Sequence, residues 1–150
     1  MIKTMTASFL ILPFLLLLTA CSGGGHIDKL VANPAELNKQ LTQCQQKDSD
    51  ATRCAEVKQA YKQLASYLII YQQKGQENFG KMIMAAQSKT VQLTEQLKQA
   101  NTSASNQKLQ QQLEQTERQI HIMWSITAMT ENPDKIAALR ALFAQHPVPN

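Results

Sequence analysis

The 150-residue chain has little glycine, proline or aromatic side chain: five Gly, five Pro, and 5% Phe, Trp and Tyr together. Leu, Ala, Lys, Glu and Gln are abundant instead, and Gln alone occupies 20 positions. These residues are good helix formers, so the composition predicts an all-α fold with long exposed helices rather than an enzyme core. A disordered low-complexity tract is the alternative for a Gln-rich chain, and the regular apolar spacing described below disfavours it.

The chain also lacks the short motifs of common catalytic sites. It has no Gly-rich phosphate loop, no G-x-S-x-G and no H-E-x-x-H. Most carboxylates lie in stretches rich in Gln and Lys, which are expected to face solvent. A solvated carboxylate is too little desolvated for its pKa to be shifted as a general acid or base requires. We therefore expect no catalysis, no cofactor and no metal ion.

Clustered positive charge is missing as well. The formal net charge is +4, but the basic residues are interspersed with acids and aromatic side chains do not alternate with them. A nucleic-acid-binding surface needs a basic patch, so no nucleic-acid partner is expected.

The amino terminus has the pattern of a cleaved targeting signal. Lys3 precedes a short apolar stretch from Ala7 to Ala20, which Pro13 interrupts. A membrane-spanning helix needs about 20 apolar residues, so this stretch is too short to be one. Residues 1–20 are therefore predicted to be a signal peptide.

The next feature, Leu18-Thr19-Ala20-Cys21, resembles the lipobox of bacterial lipoproteins. The resemblance implies cleavage before Cys21, with a diacylglycerol and an N-acyl chain attached to that residue. Two or three acyl chains hold a protein firmly to a membrane, because each buried methylene contributes about 0.8 kcal/mol. Ser22 and the three glycines after it predict a flexible tether over residues 21–32.

The same resemblance implies a destination. Lipoproteins with Asp directly after the lipidated cysteine tend to remain in the inner membrane of Gram-negative bacteria, and Ser22 occupies that position here. The expected location is the outer membrane, with the chain facing the periplasm. Loss of Lys3 with the signal peptide leaves a net charge of about +3, which is mild.

Residues 33–74 are predicted to form a pair of helices. Asn33 can cap the first helix, Pro34 fits its first turn, and Glu36 stands at the third position. The polar stretch 45–50 ends that helix, and Asp50 or Thr52 can cap the next. The apolar face of the second helix, which predicts core packing rather than a cofactor site, consists of Val57, Tyr61, Leu64, Leu68 and Tyr71.

A helical hairpin is predicted for residues 76–131, after a break at Gly75. Two segments repeat apolar or small residues at spacings of three and four on either side of a polar loop at 101–106. The short loop requires the two helices to run antiparallel. The repeated positions are Phe79, Ile83, Ala86, Thr90, Leu93 and Leu97 in the first segment, and Leu109, Leu113, Thr116, Ile120 and Met123 in the second.

The segment 120–126 is ambiguous, because its apolar and polar residues also alternate as they do in a strand. Helix is the better interpretation, since the helical period continues and a lone strand would lack a hydrogen-bonding partner. Apolar residues cover much of this part of the helix, which predicts either a buried centre, the favoured use, or a partner interface. The candidate interface residues are Ile120, Ile122, Met123, Trp124, Ile126 and Met129.

A short helix and a tail are predicted for residues 132–150. Asn132 and Pro133 repeat the cap pattern of Asn33 and Pro34, and the sequence from His146 to Pro149 predicts an extended end. The apolar face of this helix consists of Ile136, Leu139, Leu142 and Phe143.

Cys44 and Cys54 flank the polar turn, ten positions apart, in a chain expected to reach an oxidising compartment. A disulfide is the leading interpretation. The alternative is a reactive or metal-binding pair of thiols, which the lack of C-x-x-C and the scattering of His26, His121 and His146 disfavour.

The residues from Cys21 to about Ala60 resemble the entry-exclusion lipoproteins of conjugative plasmids (EexN type) and similar small lipoproteins encoded beside type IV secretion genes. Residues 72–150 are an extension that the motif does not include. The shared features are the lipobox Cys21, the lead-in 28–30, Val31-Ala32-Asn33-Pro34-Ala35-Glu36-Leu37, Leu41, Cys44, Cys54 and the Ala-bearing start of the second helix.

This resemblance implies a protein that sits in the envelope of a recipient cell and blocks redundant DNA transfer from a donor with a related transfer system. The implied functional residues are Cys21, Cys44 and Cys54, and the implied partner is a protein of the envelope or the conjugation machinery. The alternative class is a structural lipoprotein, either a subunit of a type IV secretion channel or a coiled-coil envelope spacer that can self-associate through its helices. A periplasmic inhibitor or immunity lipoprotein is a third possibility.

Overall fold

The computed structural model describes residues 23–46 and 49–148, and within these ranges the protein is an all-α bundle. The signal peptide, the lipobox and Cys21 lie outside the described residues. The predicted helix at 120–126 is confirmed, because these residues belong to a continuous helix. In chain order the helices are α1 (Gly23–Val31), α2 (Pro34–Gln43), α3 (Ala51–Gln99), α4 (Ser103–Thr130) and α5 (Pro133–Gln145).

Polar side chains define where four of these helices begin. Asn33, Asp50, Thr102 and Asn132 each accept a hydrogen bond from a backbone N–H in the first turn of the helix that follows. Such a cap satisfies amide groups that have no partner inside the helix. Because Thr102 already caps α4, the turn after α3 covers only residues 100–102, and the predicted loop at 101–106 was too long.

Residues 23–31 of the predicted flexible tether, 21–32, form the amino-terminal helix α1 instead. Ile27, Leu30 and Val31 have helical spacing and are 4%, 2% and 0% exposed. They belong to the hydrophobic core, and α1 contacts both α3 and α4. Burial of an aliphatic side chain contributes about 1.5–3 kcal/mol, which offsets the low helix propensity of the glycines that begin α1.

The core lies where α1, α2 and α5 meet the first part of α3 and the last part of α4. Leu37, Leu64, Ile126 and Leu142 come from four different helices and are all fully buried there. The carboxyl-terminal helix is tied to this core by polar contacts as well. The ammonium of Lys135 donates to the carbonyl of Ala32 at 3.1 Å, and the hydroxyl of Tyr61 donates to the carbonyl of His146.

The predicted break at Gly75 is present as a sharp bend inside α3. Gly75 has φ 76° and ψ 165°, a backbone conformation that is essentially restricted to glycine. Tyr71 and Phe79 flank it, and their ring centroids are 5.1 Å apart. Eight residues of straight helix span about 12 Å, so the chain must turn between the two rings. The helix α3 thus has a first arm, residues 51–74, and a second arm, residues 76–99.

The bend gives a matched pair of glycine substitutions. A Cβ atom would meet nothing within 4 Å at Gly75 or at Gly80, so any difference between the two sites comes from the backbone alone. We expect Gly75→Ala to lower the free energy of unfolding by about 1–3 kcal/mol. Gly80 lies within the helix, and Gly80→Ala should raise the same quantity by up to about 1 kcal/mol. Urea unfolding followed by circular dichroism measures both, and equal changes would contradict the bend.

The second arm of α3 and α4 form the predicted hairpin, with Phe79, Ile83 and Met123 buried at the seam. The threonines of the seam do not leave unpaired hydroxyls. Thr90 donates to the carbonyl of Ala86 at 3.1 Å, and Thr116, 2% exposed, donates to the carbonyl of Gln112 at 2.7 Å. The hairpin therefore tolerates polar residues in its seam, because each hydroxyl bonds to its own helix.

Within residues 23–46 and 49–148, no helix combines the length and the apolar character needed to cross a bilayer.

Candidate functional site

The disulfide Cys44–Cys54 joins the end of α2 to the first turn of α3, as the sequence predicted, with an S–S distance of 2.03 Å. Cys54 is 8% exposed and Cys44 is half-buried against the core. The hydroxyl of Ser49 donates to the carbonyl of Cys44 at 3.4 Å, across the turn that the bond closes. The bond therefore holds the end of α2 beside the first turn of α3.

Reduction of this disulfide is expected to lower the free energy of unfolding by about 3 kcal/mol, because it releases a small loop in the unfolded chain. Urea unfolding of the chain beginning at Ser22, with and without a phosphine reductant, measures the loss. The double variant Cys44→Ala/Cys54→Ala is the control, since the reductant should leave its unfolding midpoint unchanged. Two freely alkylated thiols in protein isolated without reductant would contradict the bond.

The six candidate interface residues on α4 divide into a buried set and an exposed one. Ile122, Met123, Ile126 and Met129 are at most 3% exposed and belong to the core of this chain, so they do not form an exposed interface. The reason is geometric: α1, α3 and α5 all pack against α4. Ile120 is half-buried against the same core, whereas Trp124 is 52% exposed on the outer face of α4.

A groove lies between the first arm of α3 and the middle of α4. It encloses about 570 Å³, and Ile122 forms part of its wall. Amide side chains dominate the lining, together with two cations and one carboxylate. The lining residues are Gln59, Lys62, Gln63, Ser66 and Tyr67 from α3, and Gln111, Glu114, Gln115, Arg118, Gln119 and Ile122 from α4.

The groove offers both hydrogen-bond donors and acceptors to a bound molecule. A glutamine amide can donate and accept, as can the hydroxyls of Ser66 and Tyr67. Burial raises the pKa of the Tyr67 hydroxyl, which keeps this group protonated as a donor over a wider pH range.

Sequence patterns alone did not reveal this groove. Gln59, Gln63 and Ser66 repeat at helical spacing, as do Gln111, Gln115 and Arg118, but each set has the composition of an ordinary solvated face. The two sets are about fifty positions apart along the chain, and only the turn at Gly75 and the hairpin bring them together. Two Gln-rich faces on helices of one bundle are the one signal that could have indicated it.

Among the described side chains, no three His, Cys, Asp or Glu residues lie close enough together to hold a metal ion. Cys21 stands two positions before α1, outside the described residues. No protein-family model, curated protein or solved structure matches the chain.

Proposed function

We propose that this protein is a lipid-anchored binding protein of the bacterial outer membrane that faces the periplasm and excludes redundant conjugative DNA transfer. The lipid on Cys21 holds it in the recipient envelope. The folded domain then binds a component of the incoming transfer machinery and blocks it. An excluder of this kind needs a recognition surface and a firm anchor, but no chemical step.

The observation that carries this proposal is the unit formed by α2 and the start of α3, which the disulfide links and which we call the base. It brings together the features of the resemblance that follow Ala32: the Asn33 cap, the buried Leu37 and Leu41, and the disulfide Cys44–Cys54. The same unit contacts α1, which begins two residues after Cys21. The base thus packs beside the helix that follows the proposed anchor.

The groove supports a binding role and suggests what it recognises. Its amides and hydroxyls suit the backbone or polar side chains of a protein segment. The two cations of the lining, Lys62 and Arg118, outnumber its single carboxylate, Glu114, and leave the groove positively charged. Arg118 contributes several donors in a fixed plane, which matches a carboxylate. We therefore infer a polar, acidic protein segment as the partner.

The second candidate function is a structural lipoprotein, either a channel subunit of a type IV secretion system or an envelope spacer. The hairpin favours it, because 24 residues in the second arm of α3 extend for about 36 Å along one helix axis. Such an arm can bridge envelope components. The two functions differ in the cell in which the protein is needed.

A mating assay that tests the recipient and the donor in separate crosses distinguishes the two candidate functions. The full-length protein is expressed in a plasmid-free recipient, and transconjugants are counted from a donor that carries the transfer genes of the same locus. In a second cross, the gene is deleted from the donor plasmid and the recipient is naive. An excluder lowers transfer in the first cross and leaves the second unchanged. A channel subunit has no effect in the first cross and abolishes transfer in the second, which would overturn exclusion.

The groove is tested in the same recipient with charge variants. Lys62→Glu and Arg118→Glu place a carboxylate where we infer an acidic partner, and both should restore transfer towards the level of the empty recipient. Lys58→Glu is the matched control, since Lys58 is exposed on the same helix but does not line the groove. Equal exclusion by all three variants would remove the groove from the mechanism. Immunoblots of the envelope fraction confirm that each variant reaches the same level.

A further inference from the structure

One exposed face of the hairpin has a regular pattern that neither the core nor the groove explains. It runs along the second arm of α3, and we call it the outer stripe. Its members are all exposed and follow spacings of four and three: Glu77, Lys81, Met84, Ser88, Val91, Glu95 and Lys98. This is the spacing by which one helix packs against another.

The outer stripe lies on the side of the helix opposite α4. Phe79, Ile83 and Ala86 face the hairpin seam, and positions 84 and 88 are each two residues from 86, or about 200° around the helix. Met84 is 69% exposed and Val91 is 64% exposed. Two large apolar side chains thus stand at the middle of a face that this chain leaves uncovered within its described residues.

Charged residues occupy the two ends of the outer stripe in mirrored order. Glu77 and Lys81 pair at 2.7 Å at one end, and Glu95 and Lys98 pair at 2.7 Å at the other. Both pairs are more than half exposed, so each contributes little to the stability of the single chain. From either end, the stripe begins with two charged residues, continues with one apolar residue and reaches Ser88 at its centre.

We propose that the outer stripe binds the outer stripe of a second copy of this chain, with the two helices antiparallel and a two-fold axis near Ser88. In this alignment Met84 of each copy lies beside Val91 of the other. Glu77 lies beside Lys98 of the other copy, and Lys81 lies beside Glu95. The small side chain of Ser88 allows the two helices to approach closely at the axis.

The charges disfavour the opposite orientation. A parallel pair would place each Glu and each Lys of the stripe beside the same residue of the other copy, and like charges placed together oppose association. The antiparallel pair replaces each intrachain ion pair with one between the copies. It is also a closed two-fold arrangement in which both copies use the same surface, as most soluble homodimers do.

The association is expected to be weak in dilute solution, because each copy contributes only Met84 and Val91 as large apolar side chains. Exposed ion pairs add specificity rather than much affinity. Attachment to one membrane would confine the copies and favour the dimer at lower expression. The inference does not depend on entry exclusion, and its test does not use mating.

Site-specific cross-linking of the full-length protein in its bacterial host tests the orientation. Ser88→Cys places two thiols at the axis, within the 4.4–6.8 Å that a disulfide allows between Cα atoms. Glu77→Cys is the control, since the two copies of residue 77 would be about 33 Å apart along the helix axis. After oxidation of intact cells with copper phenanthroline, Ser88→Cys should give a dimer on a non-reducing gel and Glu77→Cys alone should not. Co-expression of Glu77→Cys with a size-tagged Lys98→Cys variant should restore a mixed dimer.

Charge reversal adds a second measurement. Lys98→Glu in the Ser88→Cys background places like charges at both ends of the dimer and should reduce the cross-linked fraction about tenfold. Adding Glu77→Lys to the same chain restores opposite charges and should recover the dimer. Dimer formation by Glu77→Cys alone would show a parallel or random encounter and overturn the proposal. Ser88→Cys protein that remains monomeric, or that cross-links only to a different protein, would overturn it as well.

Discussion

Full-length protein carrying Cys21→Ser is expected to incorporate no palmitate analogue, whereas the unsubstituted protein is labelled. Only a thiol at this position can accept the diacylglycerol, and a serine hydroxyl does not replace it in the lipobox that Leu18-Thr19-Ala20-Cys21 resembles. Metabolic labelling followed by immunoprecipitation measures the difference. This is an all-or-none effect, because the lipobox contains no other thiol.

The controls for this experiment are the other two cysteines. Cys44→Ser/Cys54→Ser removes the disulfide but keeps Cys21, so it should be labelled as strongly as the unsubstituted chain. A Cys21→Ser protein that is still labelled, or that still fractionates with membranes after a carbonate wash, would contradict the lipid anchor. In that case residues 7–20 would have to hold the protein to the membrane.

Ile126→Ala is expected to lower the free energy of unfolding by about 2–5 kcal/mol, a large part of the stability of a small domain. Ile126 is 0% exposed, and its truncation leaves a cavity among residues contributed by several helices. Trp124→Ala, two positions away on the same helix, is the control. Trp124 is 52% exposed, so its loss should change the same quantity by less than about 1 kcal/mol.

Urea unfolding of both variants decides whether residues 122–129 are core or surface. If Trp124→Ala were the more destabilising change, the outer face of α4 would be covered by a partner in solution. If Ile126→Ala had no effect, the packing of α4 against α1 and α3 would be wrong. The sequence pattern left these alternatives open, because a helix that is apolar on most of its faces can be buried by its own chain or by another.

Helix boundaries were predictable where a local signal specifies them. Asn33 and Asn132 each precede a proline that fits the first helical turn, and both cap a helix in the structure. Gly75 marks the bend, because its conformation is one that other residues avoid. These signals act within a few residues of the chain, so they can be recognised without knowing the fold.

Features that depend on distant neighbours were not predictable in the same way. The glycines at the start of α1 favour a flexible segment, and only the burial of Ile27 and Leu30 against other helices makes the segment helical. The groove joins residues from two helices that are far apart in the sequence. Burial of Ile122 and exposure of Trp124 likewise follow from which side of α4 faces the core, and the composition of the segment 120–126 does not specify that side.

The early start of α1 has a mechanical consequence for an anchored protein. A flexible chain of 12 residues would let the domain wander over roughly 20 Å from its attachment point. Here a single residue, Ser22, separates Cys21 from a helix that is packed into the core. With the proposed lipid on Cys21, the domain would move together with its anchor and keep a restricted tilt against the bilayer. Its encounters with other membrane-bound proteins would then be governed by lateral diffusion rather than by motion of a flexible linker.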